Sequence, residues 1–306
     1  MKPSGSPRIG LALGGGAARG LSHIGALEGL EEAGIPMDVI AGTSMGALVG
    51  ACYAAFPNAR KVHEAFLRFI YSEHFPIDRF DFLRDHLSAE EMEEPLPGPI
   101  QQFKKVVQKG FFYGSSVVRR SFVPEEDFRK GIEMLLPDLR IEQLSIPFVA
   151  VATDLSSGRE VLLSKGPLRE AVLASSAIPG VFPPVSYEGR ELVDGSWVHN
   201  IPVEPVRKLG ADIVIAMDIS RDIQDTSHWR RGLNIVFRTN AITRSVLQKI
   251  QLQGSDVCLR PDIGRMHWGD FREPEECIAI GREEAYRKLP LIRSVINQWA
   301  SKDIKS

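Results

Sequence analysis

At 306 residues, with 43% apolar and 25% charged side chains, the chain has the size and balance of one large globular domain or two small ones. Its formal net charge of −2 removes any electrostatic case for nucleic acid binding, and its three cysteines, Cys52, Cys258 and Cys277, form neither a disulfide framework nor a zinc pattern. No run approaches the ~18 apolar residues of a membrane span, and Met1 to Arg8 lacks the apolar stretch of a signal peptide, so a soluble protein of a reducing cytoplasm is expected.

Taken in chain order, Ile9 to Leu13 reads as a first strand, ended by Gly14-Gly15-Gly16. Arg19 to Ala33 follows as a helix, with Leu21, Ile24, Leu27 and Leu30 at helical spacing and Gly34 and Pro36 as stops. Asp38 to Ala41 is a second strand, and Met45 to Ala55 a second helix. A strand–helix–strand–helix opening favours a parallel sheet wrapped by helices. From Phe66 to Arg140 the pattern loosens and aromatics become frequent, with a break at Pro95, Pro97 and Pro99 and a short basic helix over Gln101 to Lys109. This stretch is read as a helical cap over the core; a lid that meets lipid is the sharper reading. Strands resume at Ile146 to Thr153, Val161 to Leu163, Arg190 to Val193, Ile213 to Asp218 and Val257 to Pro261. Helices are expected over Leu168 to Ser176, Leu233 to Gln253 and Pro274 to Leu289.

The junction between the second strand and its helix is Gly42-Thr43-Ser44-Met45-Gly46. G-x-S-x-G in a strand–turn–helix context describes a nucleophile elbow, whose sharp turn projects the serine hydroxyl and tolerates no Cβ at its glycines. Ser44 is therefore a candidate nucleophile. A serine hydroxyl needs a base and needs donors aimed at the developing oxyanion. The loop Gly14-Gly15-Gly16-Ala17-Ala18-Arg19-Gly20 suits the second role, because small residues let backbone N–H groups converge and a helix N-terminus adds favourable dipole. A phosphate-binding P-loop would need Gly-Lys-Ser/Thr where Arg19-Gly20-Leu21 stands, and no glycine triplet has dinucleotide spacing. Asp38 lies in range for a ribose-binding acid, so a nucleotide site stays as a competing reading.

For the base, none of the seven histidines (His23, His63, His74, His86, His199, His228 and His267) sits where a late triad histidine would be expected. His199, close to Asp194, is worth testing. Asp194 ends a strand, and a carboxylate at a strand's C-terminal end faces the crevice where parallel sheets bind ligands; partly desolvated, it could serve as base to Ser44. The plain alternative is a turn-forming Asp-Gly.

Together these elements resemble the patatin-like phospholipase family. Ile9 to Ala55 is similar to the family's opening block throughout, and Val151 to Leu155 with Ser157-Gly158 resembles a recurring strand and turn. Ala174 to Pro184 is similar to the block before the family's aspartate, and Leu192-Val193-Asp194-Gly195, Asn200 to Val203 and Gly210-Ala211-Asp212 complete the pattern. The resemblance covers about residues 8–220. The remainder, with Val257 to Gly264 and Trp268 to Phe271, resembles the small bacterial branch.

The resemblance implies a three-layer α/β/α sandwich with a mainly parallel sheet. It implies one domain over 1–306: a motif-bearing core at 8–220, a cap or lid at about 66–140 and a C-terminal extension at 221–306. It implies a Ser–Asp dyad of Ser44 as nucleophile and Asp194 as base. Gly14, Gly15, Gly16, Ala17 and Arg19 would form the oxyanion hole, with donors favoured in the order Gly15, Gly16, Ala17. The expected reaction is hydrolysis of a lipid carboxylic ester through an acyl-enzyme, with no cofactor and no metal. Transient contact with a membrane surface at its inner face accompanies that expectation. A fold-keeping regulatory or binding protein with little turnover is the alternative. Two departures stand out. Ala17 lies where the family usually keeps glycine, and its N–H is useful only if its φ is tolerated. Ser196 follows Asp194-Gly195 where the family has Gly or Ala, a small-for-small exchange expected to matter little.

Overall fold

A computed structural model describes residues 6–87, 121–221, 232–264 and 266–303. Eight strands form one sheet: β1 (Ile9–Leu13), β2 (Val39–Thr43), β3 (Phe148–Asp154), β4 (Glu160–Leu163), β5 (Val185–Tyr187), β6 (Arg190–Asp194), β7 (Ile213–Met217) and β8 (Val257–Leu259). Their order is β5-β6-β3-β2-β1-β7-β8, with β4 also paired to β3. The β3-β2-β1-β7-β8 stretch is parallel, and β4, β5 and β6 add antiparallel pairs. The helices are α1 (Ser22–Glu32), α2 (Met45–Ala55), α3 (Ala59–Ile70), α4 (Ile77–Leu87), α5 (Glu125–Leu135), α6 (Leu168–Ser175), α7 (Val203–Lys208), α8 (Gly232–Leu252) and α9 (Pro274–Asp303).

β1, β2, β3 and β7 are covered on both faces and buried along their whole length, and successive residues serve opposite layers. Leu11, Leu13 and Ile40 pack into the larger core with residues of α1, α2, α3, α6 and α9. Ala12, Val39, Ala41, Val214 and Ala216 face a smaller core closed by Val203 and Val206 of α7. This is the mainly parallel three-layer sandwich that the sequence implies.

Several elements differ from expectation. The first helix starts as a 3-10 turn over Ala17–Leu21 and becomes α only at Ser22. β5 has only three residues and is joined to β6 by Glu188 (φ 48°) and Gly189 (φ 76°), the left-handed pair of a tight hairpin. The last helix does not stop at Leu289 but continues through Pro290 to Asp303. Buried Ile292, with Val295, Ile296 and Trp299 packed on the core, holds that extension against the missing proline N–H.

Of the aromatic segment, α4 and α5 are described, whereas the basic helix over Gln101 to Lys109 and Phe103, Phe111, Phe112 and Tyr113 lie outside the described residues. Among the described residues no helix is long and apolar enough to cross a membrane.

Candidate active site

Register brings the candidate residues to one place. Leu13 pairs with Gly42 on one side and Met217 on the other, so the glycine loop and Ser44 leave the sheet side by side. Thr43 pairs with Val151 of β3. β6 runs antiparallel to β3, so the expectation that Asp194 sits at the C-terminal edge of a parallel strand is not how it arrives. β6 instead enters from beyond the elbow and ends with Asp194 beside Ala152, one residue past Val151. The carboxylate is thereby delivered level with Ser44.

Ser44 holds φ 56° and ψ −123°, a conformation L residues rarely adopt, at the N-terminus of α2. A Cβ on Gly42 would lie 2.4 Å from the Gly46 carbonyl oxygen, and one on Gly46 would lie 2.1 Å from that of Leu13. The turn therefore needs both glycines. The Ser44 N–H donates to Ser175 Oγ (3.0 Å), which donates to the Val151 carbonyl (2.6 Å), tying the elbow to α6 and β3.

Asp194 is buried, and desolvation lifts its pKa above the usual carboxylate range. Opposing that lift are the hydrogen bonds from Ser196, whose N–H (2.8 Å) and Oγ (2.7 Å) both donate to Oδ1, the nearby Ser44 hydroxyl, and the positive charge of Arg244. Ser196 and Arg244 are the residues that the sequence reading passed over. The hydroxyl at 196 looked like a neutral exchange, and Arg244 lies on α8, far from every motif.

The loop contributes less than expected at its start. Gly14 N–H donates to the Met217 carbonyl (3.2 Å) and Gly15 N–H to the Asn200 carbonyl (3.2 Å), so neither is free for an oxyanion. Ala18 N–H donates to the Trp268 carbonyl (2.8 Å). Among the described residues, the N–H groups of Gly16 and Ala17 have no acceptor. Ala17 sits at φ 47°, the left-handed region where glycine is usual. Gly15 is needed for close approach instead. A Cβ there would lie 2.4 Å from Ser196 Oγ and 3.3 Å from Ser44 Cβ, so the loop can approach these two serines only without one.

His23 Nε2–H donates to the Gly14 carbonyl (2.7 Å); full burial pulls its pKa down to about 4, so it stays neutral and braces the loop. Arg19 is half-buried, with its Nε shut off from solvent and lacking a partner among the described residues. Burial first, then the charges of Arg244 and Arg221, bring its pKa down to about 10. It is a fixed positive charge beside the loop, not an N–H of the hole.

The other histidines lie elsewhere. His199 bonds Glu160 through Nδ1, its Nε2 has no partner among the described residues, and it bonds neither Ser44 nor Asp194. His63 pairs with Glu28, and His267 Nδ1 accepts from Gly269 N–H. The His86 side chain and His228 lie outside the described residues. Glu160, His199 and Glu204 present ligand atoms within 4.8 Å of one another, but exposed Glu204 is already paired with Lys208 (2.7 Å).

An apolar pocket opens beside Ser44, lined by Met45, Leu48, Phe69, Phe75, Phe128 and Phe182 among others. Phe128 and Phe182 stack with centroids 3.9 Å apart, and Phe271 adds an edge to Phe75. Segments distant in sequence thus build a slot suited to an alkyl chain.

A model of the patatin-like phospholipases matches residues 11–207. An uncharacterised NTE family protein of Mycobacterium tuberculosis is 33% identical over 220 residues, 72% of this chain and 51% of the relative. The human patatin-like phospholipase domain-containing protein 6 is 32% identical over 74% of this chain and 14% of its own length. The lysophospholipase nte1 of Aspergillus fumigatus is 31% identical over 69% of this chain and 12% of its own. The chain thus spans about half the length of the mycobacterial relative and far less of the others. In fold it is similar to VipD from Legionella pneumophila, with a TM-score of 0.50 at 16% identity, covering 95% of this chain and 67% of that one.

Proposed function

Because this chain belongs to the patatin-like phospholipase family, we propose that it is a serine acyl hydrolase that cleaves carboxylic ester bonds of lipids. The observation that carries the reading is the strained Ser44 at the mouth of an apolar pocket, its hydroxyl acting on a buried, pKa-raised Asp194. A carboxylate held in that state is a better base than one in water and needs no histidine between it and the serine.

In this reading Asp194 takes the Ser44 proton as Oγ attacks the ester carbonyl. The oxyanion is held by the N–H groups of Gly16 and Ala17, with the α2 N-terminus and the Arg19 charge adding positive potential. Asp194 returns the proton to the departing alcohol, leaving an acyl-enzyme with its chain in the phenylalanine-lined pocket. Water, deprotonated by Asp194, attacks the acyl carbonyl; the bond to Ser44 Oγ breaks, Asp194 gives the proton to Oγ, and the fatty acid leaves. The roles assigned need no metal. A lysophospholipid or phospholipid is the substrate class the relatives' names suggest, reached by transient contact with a membrane from the cytoplasmic side.

Labelling with a fluorophosphonate, beside hydrolysis of p-nitrophenyl esters of graded chain length, tests the reading. Wild type is labelled and turns over medium chains; Ser44→Ala keeps its fold and loses both. Full turnover in Ser44→Ala would sink the mechanism.

A further inference from the structure

Helix α8 is built inside out. Its outward residues Ile235, Val236, Ile242, Val246 and Ile250 are 42–59% exposed, and Ile235, Ile242, Val246 and Ile250 fall on one stripe at helical spacing. Its inward face sets polar side chains beside Leu252, which packs on the smaller core. Gln248 is buried, and Gln251 accepts from Ile201 N–H (3.1 Å) and donates to the Val198 carbonyl (3.0 Å). Arg244 lies over the Trp197 ring, 5.5 Å from its centroid. A surface helix ordinarily turns its apolar stripe to the core; here that stripe stays exposed among the described residues.

The charges on the helix say what. Between Gly232 and Leu252 stand Arg238, Arg244 and Lys249 and no acidic residue, in a chain whose formal net charge is −2. Lys249 is exposed at the border of the stripe, between Val246 and Ile250 in sequence. Half-exposed Trp197, an aromatic suited to a membrane interface, sits beside the same helix. A second copy would bring the same cationic helix, with no acidic residue to pair Lys249, whereas anionic headgroups neutralise Lys249 while acyl chains cover the isoleucines.

We infer that the Ile235–Ile250 stripe of α8 is the surface by which this protein docks on an anionic phospholipid bilayer, apolar side chains inserted and Lys249 on headgroups. The inference rests on the lipid hydrolase reading for its purpose: docking through the stripe brings to the bilayer the helix whose inner face carries Arg244 toward Asp194.

Flotation tests it, with vesicles of phosphatidylcholine, with and without phosphatidylglycerol, using full-length Ser44→Ala so that turnover plays no part. The parent is expected to float with the anionic vesicles. Ile242→Ser/Val246→Ser/Ile250→Ser in that background should bind at least about tenfold more weakly, with Tm unchanged because the side chains replaced are exposed. Lys249→Glu should reduce the preference for phosphatidylglycerol. Ile250→Trp keeps the stripe apolar, and its fluorescence should shift to the blue on anionic vesicles. Equal flotation of triple variant and parent, no flotation of the parent, or an introduced indole that stays in water each overturns the proposal. So does a dimer by light scattering that the triple variant splits. If Ser44→Ala floats as expected while wild type cleaves no ester, the docking stands and the hydrolase reading falls.

Discussion

Ser196 Oγ donates to Asp194 Oδ1 at 2.7 Å, on the same carboxylate whose pKa the Ser44 hydroxyl also lowers. The bond favours the charged form and so works against the desolvation that raises Asp194. A glycine or alanine at this position would leave the carboxylate with Ser44 and one backbone N–H. Ser196 is therefore a brake on the basicity of the proposed base.

Ser196→Ala tests this directly. In the proposed mechanism the rate needs ionised Asp194, so it falls as pH drops through the carboxylate pKa, and that acid limb should already lie above the ordinary carboxylate range. Removing the hydroxyl raises the pKa further, so the limb of kcat/KM moves to higher pH. The plateau should change by less than about tenfold, since the base itself remains. A pH–rate profile with an unmoved or acid-shifted limb would show that Ser196 does not act through Asp194.

Arg244 acts on the same carboxylate in the same sense, by charge. It is mostly buried, and desolvation lowers its own pKa despite the attraction of Asp194. It also repels half-buried Arg19. The charged side chain is thus disfavoured by the fold it sits in. Arg244→Gln should shift the acid limb of kcat/KM to higher pH while raising Tm, an exchange of stability for activity of a kind found at functional sites. Thermal melts beside the pH profile read both; a lower Tm with an unmoved limb would make Arg244 a packing residue only.

What was legible in the sequence follows the reach of each signal. The elbow was legible because Gly42 and Gly46 answer to neighbours within one turn, and the glycine loop because its composition is local. Which loop N–H groups stay free was not, because Gly14 and Gly15 are claimed by Met217 and Asn200, some two hundred residues away. The periodicity of α8 revealed a helix over nearly the observed range but not its orientation, since a moment does not say which face the fold buries. Asp194 was singled out on a wrong argument: it was expected at the end of a parallel strand and comes from an antiparallel one. β5, three residues long, offered only the Glu188-Gly189 turn as a signal.

His23 sets the acid limit of stability. Its pKa in the fold is about 4 against an ordinary 6.5, so the unfolded chain binds the proton first. Nothing changes at neutral pH; stability is lost as pH falls through 6.5 and levels off below 4. The full effect is about 3 kcal/mol. His23→Gln can still donate an amide N–H toward the Gly14 carbonyl but cannot titrate. Urea unfolding at pH 7 and at pH 4.5 should show a smaller drop for the variant by about 2–3 kcal/mol. Parallel losses in both proteins would assign the acid sensitivity to other groups.

Ala17 carries the strain of the oxyanion loop. A non-glycine residue in the left-handed region is disfavoured by roughly 1–2 kcal/mol, and Ala17 holds φ 47° while its side chain lines the pocket beside Ser44. Glycine removes the strain but adds freedom to the unfolded chain, worth about 0.4–1 kcal/mol in the other direction. Ala17→Gly should therefore gain up to about 1 kcal/mol and keep the N–H donor, with kcat/KM within about threefold. Ala17→Val, branched at Cβ, should lose more than about 1 kcal/mol and narrow the pocket mouth, so that KM for long-chain esters rises more than for short ones. Denaturant melts of the three proteins rank the strain. Glycine less stable than alanine would mean that the Ala17 methyl is held by packing that outweighs its backbone, and that the N–H is presented at no conformational cost.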